Sequence, residues 1–91
     1  MILIVTYDLH DPGRDYDKIQ AELKKADSWA HPQGSVWFLD TKLTPAEWRD
    51  KLEAVGDAND ECFVAEMKKH WASRNTDKDV TDWLKSSARS W

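Results

Sequence analysis

An aspartate directly after an apolar run is the residue in this chain best placed to do chemistry. Residues 2–7 are apolar or β-branched apart from a closing tyrosine, and Asp8 ends the run. A run this short, followed closely by Pro12-Gly13, predicts a buried strand. A carboxylate at the end of such a strand lies at the mouth of a sheet, where metals and substrates are often held. It can equally open a turn and accept hydrogen bonds from backbone amides.

Further polar residues follow Asp8 in the predicted loop. Loop carboxylates suit a hard cation such as Mg²⁺, which binds one or two of them and keeps water and substrate phosphates. Turn and helix-cap chemistry explains Asp11 and Asp15 more simply, so we interpret both as structural. His10 has the chemistry of a general base or metal ligand, although an exposed loop histidine is the simpler interpretation. Arg14 suits either a bidentate phosphate contact or an ion pair with a carboxylate.

Two other segments contain candidate binding residues. Gln33 and Ser35 flank Gly34 in a predicted turn, where their side chains either complete turn hydrogen bonds or line a site near the first strand. The second segment interleaves basic residues with an aromatic, as a nucleic-acid backbone and a stacked base require. The alternative, which we favour, is that its tryptophan closes over the sheet. This segment contains Lys68, Lys69, Trp71 and Arg74.

Composition limits the classes of function. The 91 residues are 33% charged and 41% hydrophobic, which is typical of one small globular domain. A net charge of -4 argues against a general affinity for polyanions and against a basic membrane anchor. Residues 66–91 nevertheless have six Lys/Arg against four Asp/Glu, so phosphate contacts would use this tail or a metal. A single cysteine, Cys62, excludes an intramolecular disulfide. With no signal-like start and no membrane-length apolar stretch, we expect a cytosolic protein.

The elements that must position these residues can be predicted from periodicity and end signals. Apolar spacing predicts an amphipathic helix over 15–26, and two short strands, 28–31 and 36–39, flank a Pro/Gly turn. Thr44-Pro45-Ala46-Glu47 is a capping box that begins a second helix, which ends at Gly56. A strand over 62–65 and a helix near 78–87 follow. The order predicts an α+β, ferredoxin-like βαββαβ domain over residues 1–66, with residues 67–91 as a C-terminal extension packing on it.

The strands also predict a partner. Strands one, three and four are apolar at consecutive positions, so both faces of the sheet require burial. The two helices cover one face, and a second copy of the chain is the obvious cover for the other. We therefore predict a homodimer through the sheet face, with a monomer covered by its own tail as the alternative.

Several of these residues resemble the small CRISPR-associated adaptation nuclease family, the smaller partner of the spacer integrase. The shared pattern is an apolar first strand ending in Tyr7-Asp8, a loop arginine at Arg14, and the stretch Gln33-Gly34-Ser35-Val36-Trp37 after helix one. The likeness covers about residues 1–66. It is closer to stand-alone relatives that also have the Trp-Ala-Ser-Arg-Asn tail at 71–75 and a Trp-Leu pair at 83–84. Virulence-associated toxin ribonucleases are more distant.

The resemblance implies a ferredoxin-like dimer in which two copies of Asp8 face each other and hold Mg²⁺ or Mn²⁺. The cation would activate water for phosphodiester cleavage of RNA or DNA. Carried over, Asp8 is the metal ligand and catalytic residue, while Ser35 and Arg14 help to position phosphate. Two alternatives stay open: a non-catalytic dimeric interaction or regulatory module of a defence-related system, and a dimer that binds a small ligand or nucleotide.

Overall fold

The computed structural model describes residues 1–9 and 16–91 of the chain. Strands and helices follow in the predicted order, and the second helix is the longest element. Their bounds are β1 Ile2–Asp8, α1 Asp17–Leu23, β2 Ser28–Gln33, β3 Val36–Asp40, α2 Pro45–Val55, β4 Glu61–Met67 and α3 Lys78–Lys85.

The four strands form one antiparallel sheet in the order β2-β3-β1-β4. The apolar strand β1 therefore lies in the interior of the sheet, paired with β3 on one side and β4 on the other. This confirms the predicted α+β class with an antiparallel, ferredoxin-like arrangement and an added C-terminal helix. It also brings the end of β1, with Asp8, next to the start of β4.

Helix α2 begins where its capping box predicts. The Thr44 hydroxyl accepts a hydrogen bond from the Glu47 backbone N–H at 3.2 Å, and the Glu47 carboxylate accepts one from the Thr44 N–H at 3.1 Å. Pro45 occupies the first turn, where its missing N–H has no helical partner to lose. Trp48 and Leu52 are then buried on one side of the helix.

Helix α1 is shorter than the predicted 15–26. After Leu23 the hydrogen bonds change to the 3₁₀ type. The N–H groups of Lys25 and Ala26 donate to carbonyls three residues back, at Glu22 and Leu23. Such bonds are a usual way to satisfy the last carbonyls of a helix. The predicted N-cap, Asp15, lies outside the described residues.

One face of the sheet packs on α1 and α2. Alternate residues of β1, together with Trp37 and Leu39 of β3, join residues of both helices in a buried cluster. The pattern around Trp29 in the sequence predicts a core position, but the residue lies outside this cluster and is 39% exposed, because β2 is at the sheet edge. The buried members of this helix-face cluster are Leu3, Val5, Tyr7, Leu9, Ile19, Leu23, Trp37, Leu39, Trp48 and Leu52.

The opposite face is partly covered by the C-terminal segment, residues 68–91. Val80 and Leu84 of α3 pack with Ala30 of β2, and half-buried side chains surround them. The indole N–H of Trp83 donates to the Ser28 hydroxyl at 2.8 Å and so joins the segment to β2. The half-buried members of this tail-face cluster are Phe38, Met67, Trp71, Trp83 and Trp91.

Candidate functional site

Asp8 is exposed at the end of β1, on the face that the C-terminal segment only partly covers. Its register partner on β4 is Glu61, so the two carboxylate side chains lie on the same face of neighbouring strands. Phe63 follows on that face, and 70% of its surface is exposed. Together with Thr6, these residues border a depression of about 250 Å³.

The carboxylate pair has a simple electrostatic meaning. Like charges directly opposite one another on adjacent strands repel, and a bound cation removes that repulsion. Mg²⁺ is commonly held by one or two carboxylates, with water and phosphate oxygens completing its shell. Within residues 1–9 and 16–91, no group of three or more His, Cys, Asp or Glu side chains could hold a metal. Asp8 and Glu61 therefore offer at most two of the oxygen ligands that such a cation needs.

The β2–β3 turn comes to the same end of the sheet. The Tyr7 N–H donates to the Ser35 carbonyl at 3.1 Å, which places the turn beside the residue that precedes Asp8. The His31 ring holds this turn in place through two contacts. Its Nε2 donates to the Gly34 carbonyl at 2.8 Å, and the ring stacks on Trp37. Ser35 is half-buried there.

The other candidates from the sequence are divided between separate places. Gln33 and Arg74 line a cavity of about 490 Å³ between the sheet and the C-terminal segment. Lys68 is paired with Glu66 at 2.9 Å, while Lys69 lines a different pocket. Trp71 is half-buried in the tail-face cluster and borders both cavities. Lys69 and Arg74 therefore border different cavities, and Trp71 is common to both. Arg14, His10 and Asp11 lie outside the described residues.

A third cavity, of about 450 Å³, lies on the helix side next to Tyr7 and Cys62. Burial raises the pKa of the Cys62 thiol, although the nearby Arg49 charge opposes the rise. The Tyr7 hydroxyl is buried and has no hydrogen-bond partner in the described part of the chain. The raised pKa of Cys62 favours a structural thiol over a reactive one. The apolar residues that follow Cys62 in the sequence favour the same interpretation.

Sequence reasoning missed Glu61 and Arg89. Glu61 follows a polar turn and becomes significant only through its register with Asp8, which no local pattern specifies. Arg89 follows α3 in a segment without periodicity, yet its guanidinium is held 4.3 Å from the Trp83 ring.

Comparisons with protein-family models, with curated proteins and with solved structures each return no match. None of the helices in the described residues has the length and apolar character that a bilayer crossing requires.

Proposed function

We propose that this protein is a homodimeric, metal-dependent endonuclease that cleaves phosphodiester bonds of RNA or DNA at the Asp8 end of the sheet. One observation carries the proposal: an exposed Asp8 ends an interior strand with a second carboxylate, Glu61, in register beside it. The Tyr-Asp strand end is also the strongest point of the family resemblance.

The residues present fit a divalent cation. Asp8 and Glu61 supply hard oxygen ligands from neighbouring strands, and both are exposed, so a phosphate can approach them. When bound, Mg²⁺ or Mn²⁺ would supply an activated water and a positive charge beside the scissile phosphate. In the dimer that the resemblance implies, Asp8 of a second copy would add a further carboxylate.

The remaining residues orient the substrate. The resemblance implies that Ser35 helps to position phosphate, and its turn is joined to the strand end by the hydrogen bond from the Tyr7 N–H to the Ser35 carbonyl. Arg14 would pair with the same phosphate. In this proposal Ser35 and Arg14 orient the phosphate, and the two carboxylates would hold the cation.

Cleavage of labelled RNA and DNA with Mg²⁺ or Mn²⁺ tests the proposal. Asp8→Asn should lower the cleavage rate about 100-fold or more, because it removes a charged ligand. The matched control is Asp50→Asn, which removes an exposed carboxylate from α2, away from the site. Equal activity in the wild type and the Asp8→Asn variant, after contaminating nucleases are excluded, would remove Asp8 from the mechanism.

Mn²⁺ titration by calorimetry separates the ligands without an activity readout. If Glu61 is a ligand, Glu61→Gln should weaken Mn²⁺ binding about 10-fold or more. If the two copies of Asp8 hold the cation alone, only Asp8→Asn should weaken it. Binding that survives both substitutions contradicts a metal site at this end of the sheet.

A second candidate function is a non-catalytic dimeric interaction module, and the exposure of Phe63 favours it. A large aromatic that is 70% exposed on an otherwise half-covered sheet face is typical of a protein interface. The same dimer would form, but Asp8 would have no catalytic role. Dimer formation without metal binding or cleavage is the outcome that would select this candidate.

Light scattering at micromolar concentration tests the dimer that both candidates require. The wild type should have twice the chain mass, and Phe63→Asp should have the mass of one chain because a charge replaces the apolar contact. Ala54→Asp, on the exposed side of α2, is the control and should stay dimeric. A wild type that is monomeric at every concentration contradicts both candidates.

A further inference from the structure

The C-terminal segment borders an open pocket that the proposed nuclease site does not use. It has a volume of about 680 Å³ and lies between the stretch after β4 and the end of the chain. This volume is within the range of small-molecule sites. The pocket is bordered by Lys69, Trp71, Ala72, Ser73, Thr81, Leu84, Lys85, Ser86, Ser87, Arg89 and Trp91.

The charge of this pocket is strongly one-sided. Lys69, Lys85 and Arg89 line it, and no Asp or Glu side chain does. Other lysines are paired, such as Lys78 with Asp82, whereas neither Lys69 nor Lys85 has a carboxylate within ion-pair distance in the described chain. Converging cations raise the local potential for an anion, although Asp40, 3.8 Å from Arg89 Nη1, offsets part of the Arg89 charge. In a protein of net charge -4, this concentration of positive charge indicates a ligand rather than a general surface property.

Arg89 provides an independent indication of a ligand. Its side chain is only 11% exposed, and its Nε and Nη1 groups are buried without a hydrogen-bond partner in the described residues. The nearest carboxylate, Asp40, is 3.8 Å from Nη1, which is too far for a hydrogen bond, and it accepts the Ser90 N–H instead. Buried donors left without a partner are costly. Arg89 also borders the pocket, so a phosphate there would be attracted by its guanidinium charge.

Aromatic side chains complete the recognition of a nucleotide. Trp71 and Trp91 are half-buried and border the same pocket, so each packs on the tail-face cluster and still has exposed surface. A tryptophan face stacks on any base, and cations beside it bind the attached phosphate. A simple anion would need the cations but not the aromatics.

We propose that this pocket binds a nucleoside phosphate, with the phosphate on Arg89, Lys85 and Lys69 and the base against Trp71 or Trp91. The ligand is either a free nucleotide or one nucleotide of a single strand, since both present the same base and phosphate. The proposal does not rest on the nuclease function, because binding here needs no divalent cation.

Calorimetric titration in EDTA with four probes tests the proposal: AMP, adenosine, inorganic phosphate, and a short single-stranded RNA. AMP should bind at least about 10-fold more tightly than adenosine or phosphate, because it alone presents both groups. Binding of RNA but not AMP identifies a strand as the source. No binding of either, or equal binding of phosphate and AMP, overturns the proposal.

Charge variants locate the binding. Lys85→Gln and Lys69→Gln should each weaken binding about 3- to 10-fold, and rising salt should have the same effect on the wild type. Lys18→Gln, on the exposed side of α1, is the matched control and should bind as the wild type does. Arg89→Gln should bind most weakly, but this substitution can also unfold the C-terminal segment. The test therefore depends on the variants of the two exposed lysines, Lys69 and Lys85. Unchanged affinity in both lysine variants overturns the assignment to this pocket.

Discussion

The two faces of the sheet are closed in different ways. Against α1 and α2, Leu3, Val5 and Leu39 are completely buried, and regular helices present continuous apolar stripes to them. Against the C-terminal segment, the buried cluster in the described residues is smaller, with Ala30, Val80 and Leu84, and two cavities remain at its margins. The difference shows that regular helices give this domain its packed core, whereas the less regular cover leaves cavities beside the sheet.

A charge placed on each face of β1 should give the largest contrast. Val5→Glu introduces an unpaired carboxylate into the helix-face core and should abolish the cooperative thermal transition, because burying such a charge costs several kcal/mol of a small total stability. Ile4→Glu lies on the other face beside a cavity, so the carboxylate can reach water. It should fold by circular dichroism while loosening the C-terminal segment and weakening the dimer. Similar unfolding of both variants would contradict the difference between the faces.

A matched pair of leucine truncations should sharpen the contrast. Leu52→Ala opens a void in the helix-face core and should lower the free energy of unfolding by about 4 kcal/mol. Leu84 already borders cavities, so Leu84→Ala should lower it by about 2 kcal/mol. Urea unfolding measures both values. Hydrogen exchange should rise across the whole domain for Leu52→Ala but mainly in α3 for Leu84→Ala. The reverse order of stabilities would show that α3 belongs to the main core.

The stability of a Trp71 variant tests whether the C-terminal segment packs tightly on the second face of the sheet. A fully buried tryptophan would cost 3–5 kcal/mol on truncation, but this ring is half-buried, so Trp71→Ala should cost about 1–2 kcal/mol. Arg74 is exposed, and Arg74→Ala should leave the melting temperature unchanged. Thermal denaturation compares the two variants. A Trp71→Ala protein with wild-type stability would show that the tail does not seal this face.

The smallest effect concerns Cys62, at the edge of the helix-face cluster. Burial raises the pKa of its thiol, so folding should shift the midpoint of iodoacetamide reactivity to higher pH than in urea-unfolded protein. Because the folded pKa is the higher one, the associated stability is present below the unfolded pKa and is lost as pH rises through the folded value. Cys62→Ala should remove this alkaline dependence. Identical reactivity midpoints in folded and unfolded protein would contradict the shift.

Most of the fold could be predicted from local signals. The apolar run of β1, the capping box at Thr44 and the Pro/Gly turn each specify an element without reference to distant residues, and all three are confirmed. Predicted boundaries differ at α1, where carbonyls at its end are satisfied by tighter turns. Trp29 was wrongly expected in the core, because sequence does not tell an edge strand from an interior one.

The candidate site was predictable only in part. Asp8 follows from its place after an apolar strand, and the structure confirms that it is exposed at the strand end. Its partner Glu61 depends on pairing between strands more than 50 residues apart, which no local pattern contains. The C-terminal pocket depends on how an irregular segment folds back, so the meaning of Arg89 could not be found in advance.

The hydrogen bond between Trp83 and Ser28 also has a consequence for the order of folding. It joins residues 55 positions apart, and the Ser90–Asp40 bond spans 50, so both close large loops late and at an entropic cost. By contrast, all four strands and both core helices are complete by Met67. On the ribosome, where the N-terminal part emerges first, the sheet can therefore form with its second face bare. Until the C-terminal segment packs on it, that face exposes apolar side chains such as Phe38 to solvent.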